Sequence, residues 1–238
     1  MKNIAIIGSS GALGSAFTEQ LSEGNPGAAI HAFSRQEPRR KIRGATNYHI
    51  DYQCEASIES AAASATRNGL LDVVIVATGM LHEENMRPEK SLRELSAAKF
   101  QRLFEVNTVV PALIAKHFLP RMNTESHSFF GILSARAGSI SDNQMGGWYA
   151  YRAAKAALNM VIKSAAIETG RRNKQAIIVG MYPGMVDSEL SKPFQRGVPK
   201  EKIFTPTFAV QQLIKVMTSL SPEDSGHFFD WDGQEVLP

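Results

Sequence analysis

The sequence predicts a single α/β domain of the doubly wound, Rossmann type, with one parallel sheet of about seven strands and helices on both faces. Three observations carry that prediction. Short β-branched runs alternate with longer segments of helical period along the 238 residues. Runs such as "VVIV" at 73–76 are apolar at every position, so both faces of the strand need cover. The first strand also runs into a glycine-rich turn, "IAIIGSSGALG", that opens a helix. No linker-like composition break divides the chain, so residues 1–238 are read as one dinucleotide-binding domain.

Strands are predicted at 3–7, 28–33, 47–50, 72–78, 128–133, 175–181 and 226–230. Between them, 13–22, 56–68, 96–121, 149–169 and 207–220 carry the helical period. "EGNPG" stops the first helix and turns the chain into the second strand. The alanine-rich second helix suits close packing on a sheet. Four segments break the alternation: the basic "RQEPRRKIRGA", "MLHEENMRPEKS", "DNQMGG" and "SELSKPFQRGVPKEKIFTP". The last three follow strand ends or adjoin the helix at 149–169, where an open parallel sheet meets its ligand. Residues 188–206, with Phe194 and Phe204, are read as a partly apolar substrate lid.

Composition removes several classes of function. A formal net charge of +3 and a pI near 9.0 are mildly basic, and "RRKIR" has no interleaved aromatics, so nucleic acid is not an expected partner. The longest apolar stretch, 70–81, is broken by Asp72 and Gly79, and the run "MKNIAII" is short for a secretory core. Neither a membrane span nor a targeting segment is expected. The single Cys54 excludes an intrachain disulfide and suits a reducing cytoplasm. The six histidines are scattered without ligand spacing, so no metal site is expected. No G-x-S-x-G elbow occurs, which disfavours an α/β-hydrolase.

The chemistry is concentrated in three places. Gly8, Ser10, Gly11, Leu13 and Gly14 lie between strand and helix, where backbone N–H groups can approach a pyrophosphate. The second strand ends in Ser34 and Arg35 rather than an acid. Donors and positive charge there suit a 2′-phosphate, so NADP is expected, with NAD as the alternative. Arg39, Arg40, Lys41 and Arg43 read as loop charges, each a weaker candidate than Arg35. Tyr151 and Lys155 stand four apart on one helical face, so a phenol and an ammonium should be neighbours, with the lysine lowering the phenol pKa. Tyr149 has no lysine at that spacing and is assigned to packing or the pocket rim.

Together with "VATG" at 76–79, Asn107 in "FEVNTVVPALIAKHFLP" and "YPGMVDSEL", these motifs occur in the order and spacing of the short-chain dehydrogenase/reductase superfamily. The chain resembles that family over nearly its whole length. The stretches "GSISDNQMGGWYAYRAAKAALNM" and "SGHFFDWDGQEVLP" look especially like its C-factor and sniffer-type, carbonyl-reductase-like members. The resemblance implies hydride transfer between a nicotinamide and a small carbonyl or alcohol substrate. In it Tyr151 is the proton donor or acceptor, Lys155 lowers its pKa and holds the nicotinamide ribose, and Asn107 keeps a relay water. It also implies cofactor contacts from Ala77, Gly79, Pro183, Val186 and Ser188, an adenine contact from Asp51, and a homodimer or homotetramer paired through the long helices. The rival is a cofactor-binding regulatory or signalling protein of the same fold that turns over little.

Three departures from the family pattern stand out. Ala12 fills the middle place of the usual glycine register, and the "NNAG"-type segment is reduced to Ala77-Thr78-Gly79. Ala135 stands where the family has the serine that bonds the substrate oxygen. Loss of such a donor costs about 10²–10³ in rate. Ser134 is the favoured replacement, through a one-residue shift of the strand end, with Ser139 and Asn143 as other sources of a donor.

Overall fold

The computed structural model describes residues 1–37 and 40–238. At its centre β1 (Asn3–Ile7) is buried at all five positions. Ala5 and Ile7 point into one apolar cluster, Ile4 and Ile6 into another, as the two-residue period of a strand requires. β1 pairs in parallel with β2 (Ala29–Ser34) on one side and β4 (Val73–Val76) on the other. With β3 (Ala45–His49), β5 (Ser128–Leu133), β6 (Ala176–Tyr182) and β9 (Phe228–Asp230) they form one parallel sheet in the order β3-β2-β1-β4-β5-β6-β9. The expected seven-stranded doubly wound sheet is borne out. Strand order reverses between β1 and β4, and a crevice opens beyond their carboxyl ends.

Each face of the sheet has its own helical layer. α2 (Glu55–Ala65), α4 (Val110–Phe118) and α5 (Tyr149–Gly170) supply Ile58, Ile114, Phe118, Leu158 and Ile162 to one cluster. α1 (Ala12–Gly24) and α6 (Pro206–Ser219) supply Phe17, Leu21, Val210 and Leu213 to the other. Among the described residues no helix is long and apolar enough to cross a membrane.

The continuous helix expected over 96–121 is divided. α3 (Ala97–Phe104) passes into a π-helical turn, Glu105–Val109, before α4 and a 3₁₀ turn at Leu119–Arg121. Pro111 has no N–H to offer the carbonyl of Asn107 four residues earlier, so the regular helical ladder fails at that point. A second feature was not foreseen. β7 (Met185–Val186) pairs in parallel with β8 (Ile203–Phe204), pinning together the two ends of the segment 187–202.

The turn from β1 to α1 depends on the absence of two side chains. Gly8 has φ +90°, and a Cβ on Gly14 would lie 2.1 Å from the Gly8 carbonyl oxygen. Gly14→Ala should therefore destabilise the fold by about 1–3 kcal/mol, since backbone must move to admit the methyl. Gly24→Ala meets nothing within 4 Å and should stabilise by about 0.4–1 kcal/mol. Urea denaturation of both variants checks this, and equal effects would contradict the packing argument.

Candidate active site

The crevice is built from the ends of β1, β4, β5 and β6. Gly8 and Ser9 donate their backbone N–H groups to the Phe33 carbonyl at 2.9 and 3.0 Å, binding the turn to β2. A Cβ on Gly8 would stand 2.9 Å from the Ala77 carbonyl, so the turn also presses on the end of β4. No side chain caps α1 at Gly11, which leaves its first-turn N–H groups free for an anion. The crevice has a volume of about 1090 Å³ and is lined on this side by Ser10, Gly11, Leu13, Ala77 and Gly79. Pro183, Val186 and Ser188 line the opposite side. Gly8 and Gly14 shape the turn without lining it.

Tyr151 and Lys155 come from the first two turns of α5, both almost completely buried, and both reach the crevice. Lys155 Nζ donates to the Leu133 carbonyl at 3.0 Å. A Cβ on Gly79 would lie 3.8 Å from that ammonium and 3.5 Å from Asn107 Oδ1, so the two groups converge on one glycine. Asn107 is fully buried in the π-helical turn and does not line the crevice. Its amide donates to the Met80 and Leu103 carbonyls, and its Oδ1 accepts from Met80 N–H at 3.0 Å.

The expected effect of the lysine on the phenol is not seen. Lys155 Nζ lies 6.0 Å from the centre of the Tyr151 ring. Burial dominates both groups, raising the Tyr151 pKa and lowering that of Lys155 to about 8. The surroundings explain this. Leu81, Leu103, Ala150 and Ala154 enclose Tyr151, with Trp148 and Phe194 packed against them. Tyr149 begins α5 and is partly exposed.

Ser134 is a correction. Its backbone N–H donates to Met181, keeping β5 in register with β6, and its hydroxyl donates to Asn159 Oδ1 at 2.8 Å. Asn159 in turn donates to the Tyr182 hydroxyl at 3.0 Å. No strand shift occurs, and the single proton of Ser134 is committed to this buried chain, although the residue borders the crevice. Ser139 donates to the Leu237 carbonyl at 2.6 Å, and the Asn143 amide oxygen accepts from Gly146 N–H. Neither alternative hydroxyl or amide is aimed at Tyr151 by these contacts.

The residues expected to meet an adenosine make contacts of their own. Arg35 lies with its guanidinium 5.6 Å from the centre of the Tyr52 ring and does not line the crevice. Gln36 and Arg40 do, and Arg40 is ion-paired with Glu19 of α1. Ser34 donates its hydroxyl to the Gln36 carbonyl, 2.5 Å away. Asp51 uses one carboxylate oxygen to accept from Gln53 N–H at 2.9 Å and stays outside the crevice. Arg39 lies outside the described residues.

Sequence reasoning overlooked a second charged wall. Arg136 and Asp230 line the crevice and pair at 3.1 Å, and burial raises the Asp230 pKa. The available signal was position, since Asp230 ends a parallel strand on the ligand side.

A dinucleotide-type turn, a Tyr–Lys pair one helical turn apart and a crevice at the switch point define a Rossmann-fold oxidoreductase site. The sequence model described as short chain dehydrogenase matches residues 2–198, and the chain belongs to the short-chain dehydrogenase/reductase family. It is 32% identical over 186 residues to a 1-hydroxy-2-glutathionyl-2-methyl-3-butene dehydrogenase of Rhodococcus sp., covering 77% of this chain and 76% of that one. It is 32% identical over 146 residues to the C-signal protein of Myxococcus xanthus, covering 61% of this chain and 82% of that one. Among solved structures, the NADPH-bound carbonyl reductase from chicken fatty liver superposes with a TM-score of 0.85 at 22% identity, covering 100% and 99% of the two chains. The carbonyl reductase Sniffer of D. melanogaster gives 0.85 at 19% identity with full coverage of both. The resemblance to C-factor and sniffer-type members is thus supported.

Two outcomes follow from this geometry. Ser134→Ala leaves the buried Asn159 Oδ1 without its donor and should cost about 1–3 kcal/mol of stability in urea denaturation, with less than a tenfold loss of turnover. A loss near 10² in turnover with unchanged stability would restore Ser134 as a substrate donor. Lys155 has a folded pKa below its unfolded value, so the unfolded chain binds more protons between about pH 8 and 10.5 and this group's contribution to stability rises across that window. The stability of the wild type relative to Lys155→Met should increase by on the order of 2 kcal/mol from pH 8 to pH 10. A pH-independent difference would contradict the burial argument.

Proposed function

We propose that the chain is an NADP(H)-dependent reductase of small carbonyl compounds, or dehydrogenase of the corresponding alcohols, with Tyr151 as proton donor and acceptor. The observation that carries this reading is a buried phenol in the crevice, one helical turn from a buried lysine. Burial keeps Tyr151 Oη protonated at neutral pH, the state needed to protonate a carbonyl oxygen. Lys155 Nζ, with its pKa near 8, is suited to resupply that proton and to bond a ribose hydroxyl. Asn107, whose carbonyl has no partner in Pro111, would hold a water behind the lysine.

The residues fit the cofactor. The uncapped start of α1 and the Gly8–Gly14 turn suit the pyrophosphate, with Ser10, Leu13, Ala77, Gly79, Pro183, Val186 and Ser188 as the remaining proposed contacts. When bound, the nicotinamide supplies or accepts the hydride. No acid ends β2, and Arg40 on the crevice wall joins Arg35 as a candidate for the 2′-phosphate, which favours NADP over NAD. Asp51 remains a proposed adenine contact. The NADPH-bound avian carbonyl reductase supports the same choice. A dimer or tetramer is part of this reading, since α5 leaves Met160 and Ile167 exposed. So is residence in the cytoplasm, which suits the free, exposed Cys54.

The commitment of Ser134 to Asn159, together with the likeness to C-signal, favours one second reading: a cofactor-binding regulatory protein with slow turnover. Turnover of an aldehyde, ketone and quinone panel with NADPH separates the two.

Tyr151→Phe should abolish reduction while leaving NADPH affinity within about threefold, because it removes a proton and little surface. Tyr149→Phe should retain most activity. Stopped assays and cofactor titration of both variants check this, and equal losses would sink the assignment.

A further inference from the structure

Trp148 is the one non-glycine residue with positive φ among the described residues, at φ 52° and ψ 40°. It follows Gly146 at φ 62° and Gly147 at φ 64°, so three successive residues are left-handed. Glycine adopts that region freely, but an L-tryptophan there needs outside restraint. Glu89 supplies it. Its carbonyl accepts from Trp148 N–H at 2.5 Å, and its Oε2 accepts from Ala150 N–H at 3.3 Å. Glu89 is completely buried, and its Oε1 has no partner. A buried, half-satisfied acid costs stability, so its presence calls for a positional reason. Arg152 braces the same turn from the other side, donating to the Gly146, Gly147 and Ala137 carbonyls.

The restraint aims the indole at the crevice. Its ring meets Tyr151 edge-on at 6.3 Å and Phe194 of the lid at 5.0 Å. Phe194 also meets His82 at 5.6 Å, and His82 Nε2 lies 3.2 Å from the Glu189 carbonyl at the start of the lid. Aromatic rings from three separate segments therefore meet in a chain, and the two nearest Tyr151, Trp148 and Phe194, line the crevice. Leu81, Ala135 and Ala137 complete that part of the wall with apolar surface. Edge-to-face geometry of this kind favours another flat ring over a puckered one.

We propose that Trp148, positioned by Glu89, is the specificity-determining wall of an aromatic subsite that takes carbonyl compounds carrying a planar aromatic ring beside the reacting carbon. This deepens the proposed carbonyl reduction and rests on it.

The test compares kcat/KM for benzaldehyde and cyclohexanecarbaldehyde with NADPH. Trp148→Gly suits the left-handed backbone, which offsets part of the ring packing it gives up, so the variant should stay folded with a modestly lower thermal midpoint, while the benzaldehyde preference should drop about tenfold or more, mainly through KM. Glu89→Ala keeps the backbone carbonyl that accepts from Trp148 N–H and removes only the Oε2 bond to Ala150 N–H, so it should reduce the preference by less than Trp148→Gly does. Glu89→Gln, which keeps an acceptor oxygen, should retain the preference. An unchanged preference in Trp148→Gly would overturn the proposal. Calorimetric titration of acetophenone and cyclohexyl methyl ketone in excess NADP⁺ gives a readout without turnover. Tighter acetophenone binding that is lost in Trp148→Gly supports the subsite even if neither aldehyde is reduced, an outcome that would instead end the reductase reading. Binding of neither ketone, or of both equally, overturns the subsite.

Discussion

The buried ammonium of Lys155 is the constraint around which the rest of the site is arranged. It sits 3% exposed with the Leu133 carbonyl as its hydrogen-bond acceptor, close to Gly79 and Asn107. A charge in that position is tolerated only if the surrounding backbone is held close and in a fixed orientation. β5 brings the carbonyl, β4 brings the glycine, and the irregular turn between α3 and α4 brings the amide. Gly138 belongs to the same arrangement, since a Cβ there would meet Lys155 Cβ at 2.7 Å. The approach of α5 to the end of β5 thus depends on one missing methyl and one buried amine.

Burial also decides the electrostatics. The Tyr–Lys spacing suggests a lowered phenol pKa, yet desolvation raises it and lowers the lysine instead. In this state the pair is a neutral acid beside an amine poised near neutrality. The nearby polar chain from Ser134 through Asn159 to Tyr182 is closed on itself, which ties β5, α5 and β6 together and leaves the proposed donor role to Tyr151.

Much of the fold was legible in the sequence because it rests on periodicity. The apolar runs at 3–7, 73–76 and 128–133 carry their own evidence of burial on both faces. The glycine turn was legible because only a residue without Cβ fits Gly14 against the Gly8 carbonyl. The break in the helix over 96–121 was harder to see, since its apolar period continues through Pro111. The ribbon of β7 and β8 was hidden because two-residue strands have no period to read. The left-handed Trp148 was hidden because Glu89 restrains it from 59 positions away in the chain.

The sequence by itself determined the layer architecture, the glycine turn and the spacing of Tyr151 and Lys155, all of which follow from local geometry within a few residues. Only the tertiary structure decided where individual protons and charges are directed. It turned Ser134 toward Asn159, laid Arg35 over Tyr52, brought Arg40 to the crevice and set Trp148 against Phe194. The physical reason is that a hydrogen bond or a ring contact is satisfied by whichever partner folding brings within a few ångströms. Those partners come from strands and loops whose separation along the chain carries no local signal.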